Sequence, residues 1–258
     1  MAAWTDKGHT RRINQDGILL QQASEGGWEC VLAAVCDGLG GLQKGELASA
    51  EVIRGLAGWF RTEWPRLREQ AGGEAEILKS WDRLLVEKNQ EMVNYGIQNG
   101  LQLGTTVSAL LLADGCYYIL HVGDCRIYEI TGTGIRQLTR DQSWAAEAAE
   151  KGILTAEQAR RDPRRSVLLQ CVGVAESVRP VYLRGKMERE ALYLVCSDGF
   201  WHEAGEQELY ERCRPERLTG ERAMREACRS IIRENRRRGE TDNCSVVMVR
   251  TGNGAALC

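Results

Sequence analysis

Four aspartates stand at the ends of apolar, strand-like segments, and this placement constrains the fold more than any other feature of the chain. They are Asp16 in RINQDGILL, Asp37 in CVLAAVCDGLGG, Asp198 in ALYLVCSDGFW and Asp242 in TDNCSVVMV. Converging carboxylates repel one another unless protons or cations neutralise them. Oxygen ligands without His or Cys partners favour Mg²⁺ or Mn²⁺ over zinc. The pattern therefore predicts a metal-dependent hydrolase.

The apolar segments fall into two groups of strands, each followed by helices. The predicted strands are GILLQQ, ECVLAAVCD, TTVSALLLADG, CYYILHVGD, RIYEITG, VRPVYL, ALYLVCSD and NCSVVMVR, and a polar turn, ASEGGW, joins the first two. Apolar residues at three- and four-residue spacing and capping signals predict helices at about 45–64, 74–100, 206–213 and 219–237. This order favours two packed antiparallel sheets with helices outside over an alternating βαβ fold.

The stretch from Ser143 to Gly173 interrupts the strands. It predicts a short helix, a glycine stop, a Thr155 cap with Glu157 nearby, and then a second helix. We interpret it as an inserted helical flap.

Length and composition indicate one ordinary globular domain. The chain has 258 residues, 43% of them hydrophobic and 27% charged, with a formal net charge of −2. We expect a single domain over residues 1–250 and a short tail over 251–258. The start lacks an apolar signal region, and the apolar runs are too short to span a bilayer. Together with ten scattered cysteines that we interpret as reduced thiols, this predicts a cytoplasmic protein.

The Asp-Gly pairs at residues 37–38 and 198–199 place two carboxylates at turns that follow apolar strands. Glycine allows backbone approaches that a side chain would forbid. Asp-Gly is also a common turn, and Asp242 fits a simple Asx turn, but repetition of the arrangement favours a metal site. Arg11, five residues before Asp16, is either a phosphate ligand beside the metals or a surface cation.

Seven segments together resemble the PP2C-type, metal-dependent protein serine/threonine phosphatases, in particular a compact bacterial subgroup. They are, in order, RxxNQD (11–16), VCDGLGGLQKGELAS (35–49), LGTT (103–106), HVGDCRIY (121–128), LTRDQS (138–143), CSDGF (196–200) and TDNCSVV (241–247). The resemblance covers nearly the whole chain. It implies an α+β fold, a four-layer αββα sandwich of two antiparallel sheets flanked by helix pairs, with the metal centre at one end.

The resemblance also implies a two-metal mechanism. Asp37 would bridge two Mn²⁺ or Mg²⁺ ions, and the backbone carbonyl of Gly38 would bind one of them. Asp198 and Asp242 would bind the other ion. A hydroxide bridging the metals would attack the phosphorus of phosphoserine or phosphothreonine in line, without a covalent enzyme intermediate.

Further residues and partners are implied in the same way. Asp16 would hold metal-bound waters, Arg11 would bind the substrate phosphate, and Asp124 with Asp198 would form a third, weaker metal site beside the flap. Phosphorylated proteins, a bacterial Ser/Thr kinase and its targets would be the partners. Nothing in the sequence requires nucleic acid, membrane insertion or more than a monomer, and the basic 233–239 segment fits a helix C-terminus.

Three positions depart from the family pattern. Leu39 stands where some members have a histidine, so we expect a metal-bound water, rather than a histidine, to protonate the leaving group. Cys125 replaces a usual serine, either as a packing exchange or as a redox-sensitive group beside Asp124. Gln142 replaces a usual histidine.

Other functions are less compatible with the residues. Cys244 to Arg250 has the spacing of a cysteine-dependent phosphatase, but SVVMV lacks the glycines of a phosphate loop and reads as a strand. A phosphoprotein-binding relative without catalysis would usually have lost an acidic ligand. A phosphoesterase for small molecules stays an alternative, against which the flap is a weak argument.

Overall fold

The computed structural model describes residues 1–25, 28–39, 44–69 and 73–252. Residues 26–27 of the predicted ASEGGW turn, residues 40–43 of the glycine motif and residues 253–258 of the predicted tail lie outside the described residues. Strands and helices are numbered along the chain.

The first sheet has five antiparallel strands. They are β2 (Asp16–Glu25), β3 (Trp28–Asp37), β4 (Val107–Ala113), β5 (Cys116–Val122) and β8 (Val181–Lys186). Their spatial order is β2-β3-β4-β5-β8. All four pairs of neighbouring strands are antiparallel, and the pairs β2-β3 and β4-β5 are also consecutive in the chain.

The second sheet also has five antiparallel strands. They are β1 (Ala2–Asp6), β6 (Arg126–Thr131), β7 (Gly134–Gln137), β9 (Leu192–Cys196) and β10 (Cys244–Arg250). Their order is β1-β10-β9-β6-β7. Strand β1 pairs with β10, so that Ala2 lies opposite Met248 and the two ends of the fold meet.

The central strands are apolar on both faces because each face is covered. Along β3, the alternate residues Leu32, Ala34 and Cys36 pack toward the helices. The residues between them, Val31, Ala33 and Val35, pack against the second sheet. A strand alternates its side chains between faces, so the uninterrupted apolar run in the sequence reflects burial on both sides.

Helices cover the outer face of each sheet. The first sheet is covered by α1 (Gly45–Thr62), α2 (Trp64–Arg68) and α3 (Gly73–Asn99), and the second by α7 (Gly205–Cys213) and α8 (Glu221–Arg237). Between α1 and α3, the ring centroids of Trp59 and Trp81 lie 5.3 Å apart, and Trp59 Nε1 donates to Ser80 Oγ at 2.8 Å. The predicted four-layer sandwich is confirmed.

The predicted flap contains two short helices, α4 (Trp144–Glu150) and α5 (Ala156–Arg161). Thr155 caps α5 as expected, but its reciprocal partner is the Gln158 side chain rather than Glu157. The flap lies beside a further short helix, α6 (Asp198–Trp201).

Several boundaries differ from the sequence prediction. The first long helix ends at Thr62, and α2 starts at Trp64 with Pro65 in its first turn. Proline is accepted in a first turn but not in a helix interior, where it removes a hydrogen bond. The edge strands β1 and β7 and the one-turn α6 were not predicted. Within the described part of the chain, no helix is long and apolar enough to cross a membrane.

Candidate metal centre

Strand pairing places Asp16 and Asp37 opposite each other. Asp16 is the first residue of β2, Asp37 is the last residue of β3, and the two are register partners. Like charges directly across an antiparallel pair destabilise it. The fold thus holds two carboxylates together at one end of the sandwich at a cost in stability, as a cation-binding site requires.

Gly38 occupies a position that has no room for a side chain. A Cβ there would lie 2.3 Å from the Gly45 carbonyl oxygen and 2.6 Å from that of Gln15. The Gly38 amide donates to Gln15 O at 3.1 Å, and Thr106 N donates to Asp37 O at 2.9 Å. The glycine therefore lets three backbone segments meet directly behind Asp37.

Asp198 reaches this end of the sandwich, the rim that carries Asp16 and Asp37, from the second sheet. It is the first residue of α6, directly after β9, and a Cβ on Gly199 would lie 2.2 Å from Asn243 O. The hydroxyl of Ser197 donates to Asp16 Oδ2 at 3.0 Å and accepts from Ser245 N at 2.9 Å. Ser197 therefore joins the two sheets at the point where their aspartates converge.

Asp242 and Arg11 form an ion pair at the exposed side of the rim. The distance from Arg11 Nη2 to Asp242 Oδ2 is 2.6 Å, and the two side chains are 39% and 32% exposed. The bond to Asp242 raises the pKa of Arg11. A guanidinium has five N–H donors, so this contact leaves donors of Arg11 available to a ligand.

Asn243 is a site residue that the sequence reasoning missed. Its amide Nδ2 donates to Lys7 O at 2.9 Å, and its Oδ1 accepts from Gln15 N at 2.9 Å. These bonds fix the loop that carries Arg11 against the start of β10. The Asp-Asn pair is visible in the sequence, but only its aspartate was predicted to bind a metal.

The buried carboxylates of the rim are protonated more readily than free ones. Burial raises the pKa of Asp37 and of Asp198 well above the ordinary range, and repulsion from Asp16 and Asp124, respectively, adds to it. Burial also raises the pKa of Asp16 to about 6, against hydrogen bonds from serine hydroxyls that lower it. Each raised pKa indicates that the ionised carboxylate lacks a compensating positive charge.

Two carboxylate oxygens supply a test of whether a cation fits. Asp16 Oδ1 and Asp198 Oδ1 are buried and have no hydrogen-bond partner among the described residues. A buried acceptor without a partner is costly. The aspartates and the Gly38 carbonyl offer oxygen donors, and hard divalent cations such as Mg²⁺ and Mn²⁺ prefer oxygen donors. The residues present therefore fit the expected metal centre.

Asp124 lies at the neighbouring cavity beneath the flap. It is 6% exposed, and its carbonyl accepts from Trp201 Nε1 at 3.3 Å. Asp124 and Asp198 both line this cavity, which has a volume of about 430 Å³ and extends to α4 and α5. Burial and the charge of Asp141 raise the pKa of Asp124 to about 7. The structure thus places Asp124 beside Asp198, where the resemblance implies a third, weaker metal site.

The three departures from the family pattern lie close to the site but take structural contacts. Cys125 is fully buried, with Sγ 3.1 Å from Thr106 Oγ1. Gln142 Oε1 accepts from Gly123 N at 2.9 Å, which fixes the turn before Asp124. Leu39 N donates to Gly104 O at 2.9 Å.

A sandwich of two antiparallel sheets with an oxygen-only carboxylate cluster at one end defines a metal-dependent hydrolase. The sequence model of the protein phosphatase 2C family matches residues 7–243. The chain belongs to the protein phosphatase 2C family.

Three comparisons illustrate this relationship. The serine/threonine phosphatase stp of Listeria monocytogenes is 29% identical over 252 residues, which cover 95% of this chain and 93% of the relative. The structure of the serine/threonine phosphatase Stp1 from Staphylococcus aureus matches with a TM-score of 0.83 at 23% identity, over 96% and 93% of the two chains. The catalytic domain of PstP in complex with two manganese ions matches with a TM-score of 0.75 at 25% identity, over 96% of each chain.

Proposed function

We propose that this protein is a metal-dependent protein serine/threonine phosphatase that hydrolyses phosphoserine and phosphothreonine in proteins. The observation that carries this proposal is the convergence of Asp16, Asp37 and Asp198 at one rim, with two buried carboxylate oxygens that lack a partner. Family membership and the names of the relatives support the same reaction.

The metal ligands we propose are Asp37, the carbonyl of Gly38, Asp198 and Asp242. Asp16 would hold metal-bound waters through its unpartnered Oδ1, while its Oδ2 accepts a hydrogen bond from Ser197. Two Mn²⁺ or Mg²⁺ ions fit the oxygen donors, and the two manganese ions of the PstP structure support this number. When bound, such ions supply an activated water and neutralise phosphate charge. A third ion would lie between Asp124 and Asp198.

Arg11 is the residue we propose for phosphate binding. Its guanidinium is held by Asp242 at the exposed edge of the rim, so its remaining N–H groups can donate to two phosphate oxygens. The charge on those oxygens is redistributed during transfer, and a fixed guanidinium stabilises it without reorganisation.

The leaving group takes its proton from solvent in the cavity at Asp124. Of the three histidines, His121 is committed inside the first sheet, with Nδ1 2.8 Å from Ser108 Oγ and Nε2 donating to Arg140 O at 2.9 Å. His9 is exposed on the N-terminal loop, and His202 contacts the flap. An acid limb of the pH–rate profile that disappears in a histidine variant would contradict this assignment.

The partners and setting are part of the same proposal. Phosphorylated proteins are the substrates, a bacterial Ser/Thr kinase and its targets are the partners, and the protein acts as a monomer. We propose one domain over residues 1–250. Nine free cysteines among the described residues suit a reducing, cytoplasmic setting.

Phosphate release from a phosphothreonine peptide tests the function. It is measured with Mn²⁺, with Mg²⁺ and with EDTA, for the wild type and for Asp37→Ala. We expect metal-dependent release that EDTA and the substitution both abolish. The control is Asp114→Asn, in a turn outside the centre where asparagine tolerates the positive φ, and it should retain activity.

A folded wild type without release under any metal would overturn the proposal. Tight binding of the phosphopeptide without release would instead indicate a non-catalytic, phosphoprotein-binding relative. Release from small phosphoesters only would indicate a phosphoesterase for small molecules.

A further inference from the structure

We propose that His202, Glu203 and Glu240 form a second cation site, suited to zinc and separate from the aspartate centre. His202 follows α6, and Glu240 follows α8, so two distant segments supply the donors. His202 Nδ1 lies 3.2 Å from Glu203 Oε1 and 3.8 Å from Glu240 Oε2. All three donor atoms lie within 4.8 Å of one another.

The distances from His202 Nδ1 to the two carboxylate oxygens, 3.2 and 3.8 Å, are close to those between donors around one small ion. Zinc binds imidazole nitrogen and carboxylate oxygen at about 2.0–2.2 Å in tetrahedral geometry, which places neighbouring donors roughly 3.4 Å apart. The three side chains supply the three protein ligands of such a site and leave the fourth position to water. The donor set contains an imidazole nitrogen, which distinguishes it from the oxygen-only aspartate centre.

The hydrogen bond on the other ring nitrogen determines which way the His202 lone pair points. Nε2 lies 3.2 Å from the Arg160 carbonyl oxygen, which only accepts, so Nε2 carries a proton. Nδ1 is buried and makes no hydrogen bond, although Glu203 Oε1 lies 3.2 Å away. In the tautomer with the proton on Nε2, Nδ1 offers its lone pair beside two carboxylates, where a cation would bind all three groups. Metal-bound histidines commonly donate their other N–H to a carbonyl in this way.

The carboxylate of Glu240 is oriented independently of His202. Its Oε1 accepts from Thr241 N at 2.7 Å and from Asp242 N at 2.8 Å, which leaves Oε2 for the proposed ion. The Glu240 side chain is only 9% exposed. Among the ion pairs of the described residues, none runs from a lysine or an arginine to the carboxylate of Glu203 or Glu240. The negative charge at this point therefore has no fixed cationic partner.

Solvent reaches the site through a second cavity. This cavity has a volume of about 280 Å³ and is lined by Glu157, Arg160, Arg161, His202 and Glu203. The cavity reaches two of the three donor residues, so an ion can approach His202 and Glu203 from this side, and a metal site requires such an entry path.

An ion here would connect the flap to the segment that carries Asp242. Arg160 of α5 contacts His202 twice, because its Nη2 also donates to His202 O at 2.7 Å. Glu240 in turn holds the backbone amide of Asp242. Occupancy would therefore stabilise the contact of α5 with α6 and the position of the 240–242 segment.

Histidine ¹⁵N NMR with zinc tests the proposal. The protein is stripped with EDTA, then given excess Mg²⁺ to fill the oxygen-only centre, and zinc is added to one equivalent. The chain has three histidines, so their ring signals can be resolved. We expect the His202 Nδ1 signal to shift on zinc addition, while the signals of His9 and His121 stay unchanged.

Equilibrium dialysis under the same conditions compares the zinc affinity of the wild type with that of variants. Loss of a group that only hydrogen-bonds a metal ligand weakens metal affinity about 10–100-fold. His202→Gln removes a proposed ligand, so it should weaken the binding of the one zinc equivalent by at least as much. Glu203→Gln is the second variant, because its side chain is 31% exposed and the exchange keeps its size, so we expect it to fold. The exposed His9→Gln is the control and should bind zinc as the wild type does.

Either of two results would overturn the proposal. One is a His202 ring that carries protons on both nitrogens near neutral pH and does not respond to zinc, which would make the cluster an imidazolium ion pair. The other is equal zinc stoichiometry and affinity in the wild type and both variants. Neither result depends on phosphatase activity, so the proposed function stands or falls separately.

Discussion

The aspartate rim and the base of the flap both bury charge, but they balance it in opposite ways. At the rim, Asp16 and Asp198 each have a buried oxygen without a partner. At the base of the flap, Arg126 forms a two-pronged pair with Asp141, with Nε–Oδ1 at 2.9 Å and Nη2–Oδ2 at 2.7 Å. The guanidinium also lies 3.3 Å from the centre of the Trp201 ring.

This difference separates a functional site from a structural one. A buried pair with complete hydrogen bonding holds its neighbours in place, and its charges need nothing further. A buried group of like charges is unstable until a ligand neutralises it, so its presence indicates binding. Asp124 lies between the two regions, since both the aspartates and Arg126 affect it.

Removal of one rim carboxylate should give the largest effect. In Asp198→Asn we expect phosphate release to fall roughly 10³-fold or more, because a charged ligand is lost at the reacting centre. Without metal, the unfolding free energy of the variant should exceed that of the wild type by about 0.5–2 kcal/mol, because repulsion between the rim carboxylates is reduced. Activity assays and urea denaturation measure the two effects.

The control for this variant is Asp114→Asn, which tests the same exchange in a turn outside the centre. Asparagine tolerates the positive φ of 49° there. If Asp198→Asn lowered the unfolding free energy of the metal-free protein instead of raising it, the rim would be a structural network like the base of the flap.

Breaking the ion pair between Arg126 and Asp141 should affect stability rather than activity. Arg126→Met leaves the Asp141 carboxylate buried without its partner, and we expect a loss of about 3–5 kcal/mol in unfolding free energy, with or without metal. The double variant Arg126→Met/Asp141→Leu should recover most of this loss, which chemical denaturation of the single and double variants measures.

The exposed ion pair of Arg222 and Glu226 is the control for the Arg126 and Asp141 variants. Arg222→Met should change stability by about 0.5 kcal/mol or less, because its side chain is 93% exposed. A loss in Arg126→Met that disappeared on metal binding would show that the two regions are not separate.

The pH dependence of the metal-free protein should reveal the imbalance at the rim. The pKa of Asp16 rises from 3.8 in the unfolded chain to about 6 in the folded protein, mainly through burial. Between these values the folded state binds the extra proton, so the unfolding free energy falls as pH rises through this window. The effect of Asp16 is on the order of 3 kcal/mol, at 1.36 kcal/mol for each pKa unit.

Denaturation of the EDTA-treated protein from about pH 4 to about pH 7 measures this slope. Saturating Mg²⁺ should remove the slope, because the cation binds the ionised carboxylates, and Asp16→Asn should reduce it. Stability that rose with pH over this range in the absence of metal would contradict the raised pKa.

The smallest effect is expected at Cys125. Its thiol is fully buried, and burial raises its pKa well above the ordinary value, so little reactive thiolate forms. Wild type and Cys125→Ser should therefore lose activity at the same rate in peroxide, with the partly exposed Cys116→Ser as control. Protection in Cys125→Ser alone would make Cys125 a redox-sensitive part of the rim.

Much of the fold followed from local patterns. The apolar run of β3 and the helical spacing in α3 predicted those elements to within a few residues, because periodicity and end signals are local properties. The edge strands β1 and β7 were missed, because a short edge strand has only one neighbour and a weak pattern. The interruption after Thr62 was missed although Pro65 was visible in the sequence.

The sequence by itself determined the chemistry of the centre: oxygen donors on aspartates, each next to a strand end or a glycine turn, in a fixed order. Only the tertiary structure decided which groups meet. The register that sets Asp16 against Asp37, the pairing of Arg11 with Asp242 and the approach of His202 to Glu240 all join segments that are distant in the chain. Such contacts depend on strand register and on the packing of whole layers, and no local pattern of residues encodes them.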